Sequence, residues 1–360
     1  VNEDVILSTE GQSVTLVYVD GTQGWINTMD STSNVRAGLP FIAATSPCVA
    51  TVGDYKIHTF TGPGTFTVTS AGNPTGSDTV DYMIVAGGGG GGSGNGGGAG
   101  GGAGGWRASS GTASGTYCAG PAPLTSPVSG LSVSVQGYPI VIGSGGTGGP
   151  GSIPCGASAS PGSDSTALGL TSTGGGGGGG GGNNGLAGGS GSGGSKGPTT
   201  GGAGNTPSVS PPQGNVGGNS TAVPPTNDGA GGGGAGDQGE TITWNNNRGG
   251  NGGIGVTSTI SNTPTQYAGG GGANSEVAGV GGTGGVHNTG STPQPSAGPS
   301  SPRTPGFGGG LGHSGPGISP NTATAGGTNT GGGGGGIDAA APYNAPNGGS
   351  GIVIIRYKFQ

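Results

Sequence analysis

The chain has 360 residues, of which 101 are glycine and 27 are proline, and only 6% are charged, with a formal net charge of −6. Eight Lys and Arg residues are too few to form the basic surface that neutralises phosphates, so we predict no nucleic-acid partner. No apolar run approaches the roughly 18 residues of a membrane-spanning helix, which predicts no membrane insertion.

Residues 1–45 carry short β-strand patterns and are predicted to form an N-terminal β module. Apolar residues alternate or run together at 4–7 and 13–19. A turn pattern follows at 20–24, and the strand pattern resumes at 25–28. No helical periodicity is present in this part of the chain.

A β frame of five or six antiparallel strands is predicted from residues 46–86, 131–143 and 350–360. Alternation on both sides of a Gly-Pro-Gly turn predicts a hairpin between residues 55–60 and 65–69. Residues 80–85 and 352–355 are the most apolar runs, so we place them at the centre of the frame. His58 alternates with Ile57 and is predicted to be a surface or edge residue.

The remaining residues, 87–130 and 144–349, contain no helix pattern. Glycine runs recur there without a fixed period, at 87–92, 174–182, 231–234, 269–272 and 331–336. One interpretation is a flexible linker, because ordering glycine costs the most backbone entropy. The other is a bundle of extended helices with three residues per turn, whose N–H and C=O groups bond to neighbouring helices.

Two features favour the bundle. Proline- and asparagine-rich turn segments bound the glycine runs, and a strong strand at 352–359 closes a frame that began before them. The predicted fold is therefore an all-β frame with a polyglycine II (PPII-like) helix bundle and no α-helix. Its frame contains 46–86, 131–143 and 350–360, and its bundle and tip loops contain 87–130 and 144–349.

The sequence indicates no enzyme, no metal site and no cofactor. Poly-glycine after residue 86 satisfies G-x-G-x-x-G trivially, but the helix that a dinucleotide site needs is missing. His58, His287 and His313 are isolated, and Asp237 and Glu240 are predicted to lie in a solvated turn.

Three cysteines, Cys48, Cys118 and Cys155, have no CxxC spacing and are too few for a structural zinc site. Cys118 and Cys155 both lie in the glycine-rich part, which leaves a disulfide between them as one possibility. Free thiols are the alternative, and they are favoured if the protein assembles in a reducing cytoplasm.

Four separated segments stand out along the chain: VGDYKIHTFTGPGTFTV at 52–68, DYMIVAGGG at 81–89, VSVQGYPI at 133–140 and GSGIVIIRY at 349–357. In this order they resemble the glycine-rich domains of bacteriophage fibre and adhesin proteins, a marine or cyanobacterial phage type. Residues 15–25 are similar to β modules upstream in such proteins. Glycine-rich receptor ectodomains of animals show a comparable passage from strand to glycine, so the motif by itself does not establish a phage origin.

The resemblance implies a virion surface protein, assembled in the host cytoplasm, whose tip loops contact a host-cell glycan or protein. Residues 1–45 would join it to other virion proteins, and because fibres are commonly homo-oligomers we expect a trimer. The alternatives are a structural fibre or decoration protein of a capsid, or a cellular extracellular filament, without receptor binding.

Aromatic residues within the glycine-rich part are the candidates for receptor contact, since Trp and Tyr stack on sugars and dominate interface energies. They are Trp106, Tyr117, Trp244, Tyr267, Phe307 and Tyr343. Each could instead pack over a bundle end and shield backbone hydrogen bonds. The loops at 206–228 and 292–305 are further candidates for a variable tip surface.

Overall fold

A computed structural model describes residues 14–20, 24–30, 40–94, 97–125, 128–151, 157–221, 228–243, 248–275, 309–312, 323–338 and 343–360. Over these ranges the chain contains short strands and no α-helix, which confirms the predicted class. The strands are β1 (Val14–Asp20), β2 (Gly24–Asp30), β3 (Ile42–Thr45), β4 (Val49–Val52), β5 (Tyr55–Phe60), β6 (Gly64–Ala71), β7 (Thr79–Val85), β8 (Ser93–Gly94), β9 (Trp106–Ala108), β10 (Leu131–Ser132), β11 (Gly137–Ile140), β12 (Ser165–Ala167), β13 (Leu170–Ser172), β14 (Val256–Ser258), β15 (Thr265–Tyr267), β16 (Ile337–Asp338) and β17 (Ile352–Lys358).

The first two strands form an antiparallel hairpin, with Val14 opposite Asp30 and Asp20 opposite Gly24. This confirms the strands predicted at 13–19 and 25–28. The hairpin is a two-stranded sheet of its own among the described strands. The strand predicted at 4–7 lies outside the described residues.

The larger sheet of the β frame has the strand order β10-β7-β17-β5-β4, and β9 also pairs with β7. Its centre is the antiparallel pair β7–β17, in register from Val85 opposite Ile352 to Asp81 opposite Arg356. Almost every residue of this pair is buried, because both faces of the sheet are covered. The prediction that these two runs lie at the centre is confirmed.

A three-stranded sheet, β11-β6-β3, packs on one face of the larger sheet. Phe66 and Val68 of this sheet share a core with Tyr82 and Ile84 of β7 and with Ile355 of β17. The hairpin predicted between 55–60 and 65–69 is therefore wrong, since β5 and β6 belong to different sheets. Alternation shows that each strand has one buried face, but it does not show which strand lies beside it.

The position of His58 was also predicted wrongly. Its side chain is fully buried between the two sheets, where Nδ1 lies 2.7 Å from Ser46 Oγ and Nε2 lies 3.2 Å from Tyr357 Oη. The imidazole stacks on the Tyr357 ring and meets the edge of Phe66. Burial, and secondarily the Lys56 ammonium, lower the pKa of His58 from 6.5 to about 4.

Acid should therefore weaken the frame through His58. Its pKa is lower in the folded chain than in the unfolded chain, so the stabilisation is complete above pH 6.5 and is lost as the pH falls towards 4. We expect the free energy of unfolding to fall by at most about 3 kcal/mol over this range through this residue. Urea unfolding at pH 7 and pH 4.5 measures the change, and His58→Gln should reduce it. An unchanged pH dependence in that variant would contradict the assignment.

The other face of the larger sheet is covered by excursions from the glycine-rich region. Trp106 of β9, Val256 of β14 and Tyr267 of β15 pack there against Met83 and Ile354. Strands β9, β14 and β15, which the sequence analysis assigned to the bundle, therefore pack in or on the frame. Conversely, β3, placed by sequence in the N-terminal module, pairs with β6 in the frame.

Beyond β7, the glycine run 87–92 is an extended segment in which every third residue bonds to the same neighbour. Gly87 and Gly90 donate to the carbonyls of Ser163 and Ser160, each at 3.1 Å. This three-residue step is that of a polyglycine II helix. Six segments surround the run. Three of them accept hydrogen bonds from it, 160–163, 346–349 and 99–102, and three donate hydrogen bonds to it, 175–178, 146–149 and 334–337.

Only glycine allows so close an approach in this central helix. A Cβ atom built on any residue of 87–92 would fall well inside contact distance of a backbone atom of a neighbouring helix. Ordering a residue costs about 1–2 kcal/mol, and a net hydrogen bond contributes about 0.5–1.5 kcal/mol. Because these terms nearly cancel, we infer that the apolar β frame is needed to make the bundle stable.

Side-chain oxygens replace missing carbonyls on the outer helices. Asn184 Oδ1 accepts from the Thr200 N–H at 2.9 Å, and Asn219 Oδ1 accepts from the Gly201 N–H at 2.8 Å. Asn347 Oδ1 accepts in the same way on the other side of the bundle. These exposed asparagines satisfy N–H groups that have no helix beyond them, which accounts for asparagine among the glycines.

Candidate functional site at the distal end of the bundle

The bundle has one end against the β frame and an opposite end, which we call the distal end. Helix 87–94 leaves the frame from β7, and 97–105 returns to it at β9, which pairs with β7. Further along the chain, helices again run alternately away from the frame and back towards it. Residues 94, 97, 151, 157, 221, 228, 243, 248, 338 and 343 therefore lie towards the distal end.

Tyr343 lies at this distal end and is 52% exposed. Hydrogen bonds of the residues that follow fix the position of Tyr343 along the bundle axis. Ala345 N donates to Gly149 O at 2.8 Å, and Pro346 O accepts from Gly91 N at 3.0 Å. An exposed aromatic side chain on a backbone that is hydrogen-bonded on two sides is well placed for contact with a ligand. Among the predicted candidates that the structure describes, Tyr343 is exposed at this end.

An ion pair also lies at the distal end, between Glu240 and Arg248. Both guanidinium Nη atoms donate to the carboxylate, and Asn251 N donates to its Oε2 at 2.9 Å. Glu240 is buried, so the predicted solvated turn is wrong for this residue. The pair ties together helices 237–243 and 248–254 where they approach the distal end. The sequence signal that could have found it is the eight-residue spacing between the acid and the arginine.

Two of the predicted receptor contacts are buried and are corrected here. Trp106 is 1% exposed and Tyr267 is 3% exposed, with their rings 5.9 Å apart in the core under the larger sheet. Burial raises the pKa of Tyr267. Both rings fill the space between β7 and the covering segments, so they stabilise the frame and are not available at the surface.

Tyr117 is half-buried beside the frame. Its ring lies 5.3 Å from the Arg356 guanidinium carbon, and the Tyr55 ring lies 4.8 Å from the same atom. Burial is the main cause that raises the pKa of Tyr117. The two rings hold a buried arginine by cation–π contacts, which assigns Tyr117 a structural role.

The remaining candidates divide between two regions. Trp244, Phe307 and the loop at 292–305 lie outside the described residues. The loop at 206–228 is split: Gln213 O accepts from Trp106 N at 2.8 Å, so the part that precedes Gln213 lies at the frame end. Its later part leads away from the frame end as far as residue 221, where Ser220 N donates to Thr199 O at 2.9 Å, and residues 222–227 lie outside the described residues.

The sequence did not indicate the role of Asp81. This carboxylate, fully buried at the centre of β7, accepts from Ser109 Oγ at 2.7 Å, Ala113 N at 3.1 Å, Ser114 N at 2.7 Å and Ser114 Oγ at 2.6 Å. Arg356 on the adjacent strand donates to Ser114 O at 3.2 Å. Together they hold the segment after β9 against the sheet. An acid inside an apolar strand is the signal that could have found this role.

Among the described residues, Cys48 and Cys118 are exposed free thiols, and Cys155 lies outside those residues. No group of three or more potential metal ligands occurs in the described part of the chain. Nor do the described ranges contain a helix of the length and apolarity that crossing a membrane requires.

A glycine-rich domain family model matches residues 60–358. The chain belongs to this glycine-rich domain family. The match begins in β5 and ends in β17. It therefore includes the bundle and the strands that precede and follow it in the chain. No curated protein matches the chain.

Proposed function

We propose that this glycine-rich domain protein is a bacteriophage surface fibre or tail-tip adhesin that presents its distal end to a receptor on the host cell. The observation that carries the proposal is the geometry of the bundle. At the end opposite the β frame, the turn at 180–183 and the segment that begins at Tyr343 are held on a scaffold of backbone hydrogen bonds. Binding residues commonly lie on loops that a rigid scaffold positions.

The arrangement fits recognition without catalysis. Tyr343 provides an exposed aromatic surface, and the ion pair between Glu240 and Arg248 ties helices 237–243 and 248–254 together. Aromatic rings of this kind stack on the apolar faces of sugars and anchor protein interfaces. The ligand that suits the site is a host-surface glycan or protein. In this proposal the chain acts on the virion surface, as a homo-oligomer, and residues 1–45 join it to other virion proteins.

Binding of the full chain to a panel of marine bacterial and cyanobacterial strains tests the proposal. We expect Tyr343→Ala to lower cell binding by about tenfold, because a truncated aromatic anchor commonly costs at least 1–2 kcal/mol. Tyr18→Ala is the matched control, since Tyr18 is 53% exposed on the separate N-terminal hairpin. That variant should bind cells as the unaltered chain does.

Two other results would count against the proposal. Binding to no strain, or equal binding by Tyr343→Ala and the unaltered chain, would favour a purely structural fibre or decoration protein. Circular dichroism of each variant, compared with the unaltered chain, separates loss of binding from loss of folding.

A further inference from the structure

The N-terminal hairpin β1–β2 exposes apolar side chains on both of its faces. Leu16, Val17 and Tyr18 are 36%, 46% and 53% exposed. Successive residues of a strand point to opposite faces, so Leu16 and Tyr18 lie on one face and Val17 lies on the other. Neither face is therefore covered at these positions.

A hairpin of this kind is not expected to be stable by itself in water. Two-stranded sheets are marginal without a third strand or a covering layer, and among the described strands β1 and β2 pair with each other alone. Their outer edges offer a row of backbone donors and acceptors for another strand. These properties indicate a surface that is completed by another molecule.

The charge of the hairpin indicates which kind of molecule would complete this surface. Residues 14–30 contain two acidic residues, Asp20 and Asp30, and no Lys or Arg, so the hairpin carries a net charge of −2. A second copy would bring an equally acidic segment to the same surface, and like charges oppose such contact. A partner with basic residues around an apolar strand has the complementary charge.

We propose that the hairpin β1–β2 is the docking site for a different protein, which adds a basic, apolar extended segment to the edge of this sheet. Main-chain hydrogen bonds to the edge would provide affinity, and the acidic residues would select a cationic partner. The inference rests on the attachment role proposed for residues 1–45, but it does not depend on receptor recognition.

Two synthetic peptides test the proposal with the full chain. Both contain alternating Val and Thr, and one is flanked by Lys pairs and the other by Glu pairs. Fluorescence anisotropy at low salt should give a Kd at least about tenfold lower for the Lys-flanked peptide, with a smaller difference at about 0.5 M salt. Hydrogen exchange should slow at residues 14–30 when this peptide is bound.

Variants separate this surface from the distal end. The double variant Leu16→Thr/Tyr18→Thr keeps residues that favour strands but removes apolar contact, and it should weaken binding of the Lys-flanked peptide by about tenfold. Tyr343→Ala should bind that peptide unchanged, even if it no longer binds cells.

Three results would overturn the proposal. They are equal affinity for the two peptides, no binding of either, and an oligomer of the unaltered chain that the double variant converts to monomer. The last result would assign the hairpin to a second copy of this chain.

Discussion

Replacing Gly89 by alanine should prevent the bundle from forming, whereas the same replacement at Gly62 should leave it intact. A Cβ atom on Gly89 would overlap the carbonyl of Gly176 in a neighbouring helix, and that carbonyl cannot move without breaking its own bond to Gly102 N. Gly62 lies in a turn of the frame with open space around its Cβ position and no unusual φ.

We expect the alanine at 89 to destabilise the folded chain by more than about 4 kcal/mol, in the range of severe overpacking, because rigid backbone surrounds it. Hydrogen exchange of residues 174–275 and thermal unfolding measure the effect. Fast exchange there in Gly89→Ala, together with protection in Gly62→Ala, is the expected pair of results. Equal melting temperatures for the two variants would contradict this account of the bundle.

Not every position in the bundle demands glycine. Ala99 and Ala103 are fully buried in the helix beside 87–92, and Ser192 is fully buried with its hydroxyl donating to Gly177 O at 2.6 Å. Their side chains occupy gaps between helices. The sensitivity to substitution therefore depends on the direction in which each Cβ points, and it varies from residue to residue along one helix.

Replacing Asp81 by asparagine should destabilise the β frame by about 3 kcal/mol. The carboxylate accepts four hydrogen bonds in a site with no solvent access, and an amide of the same shape would turn an NH₂ group towards one set of donors. Buried donors left without an acceptor each cost about 1–3 kcal/mol. Because the shape is preserved, the change removes only the carboxylate's charge and part of its capacity to accept hydrogen bonds.

Urea unfolding measures this effect, and hydrogen exchange of residues 109–117 localises it, since that segment is held by the carboxylate. Asp54→Asn is the matched control, because Asp54 lies in an exposed turn. That variant should change the free energy of unfolding by less than about 0.5 kcal/mol. A comparable loss of stability in both variants would rule out a special role for Asp81.

Much of the candidate site could not be predicted from the sequence. The aromatic residues of the glycine-rich region are few, which made them conspicuous. Trp106, however, lies on a strand that pairs with β7, and Tyr267 lies on a hairpin that packs on the larger sheet. Tyr343 follows a similar glycine run and yet is exposed. The difference is which end of the bundle each residue reaches, and that depends on how many times the chain reverses before it.

The fold was predicted better than the site, for a physical reason. Apolar runs at 80–85 and 352–355 are sufficient to indicate a buried central pair, and glycine runs bounded by turn residues indicate helices with no side chains to pack. The hairpin at 55–69 and the exposure of His58 were predicted wrongly. Both depend on the second sheet, whose position no local pattern specifies.

The sequence by itself determined that this protein has a small apolar β frame and a body built from backbone, because composition leaves few other ways to satisfy buried polar groups. Only the tertiary structure decided which residues reach the distal end of the bundle. Hydrogen bonds between helices distant in the chain set the register of each segment. That register buries Glu240 and places Tyr343 at the distal end, whereas Asp81 is buried by the β7–β17 pairing and by the segment that follows β9.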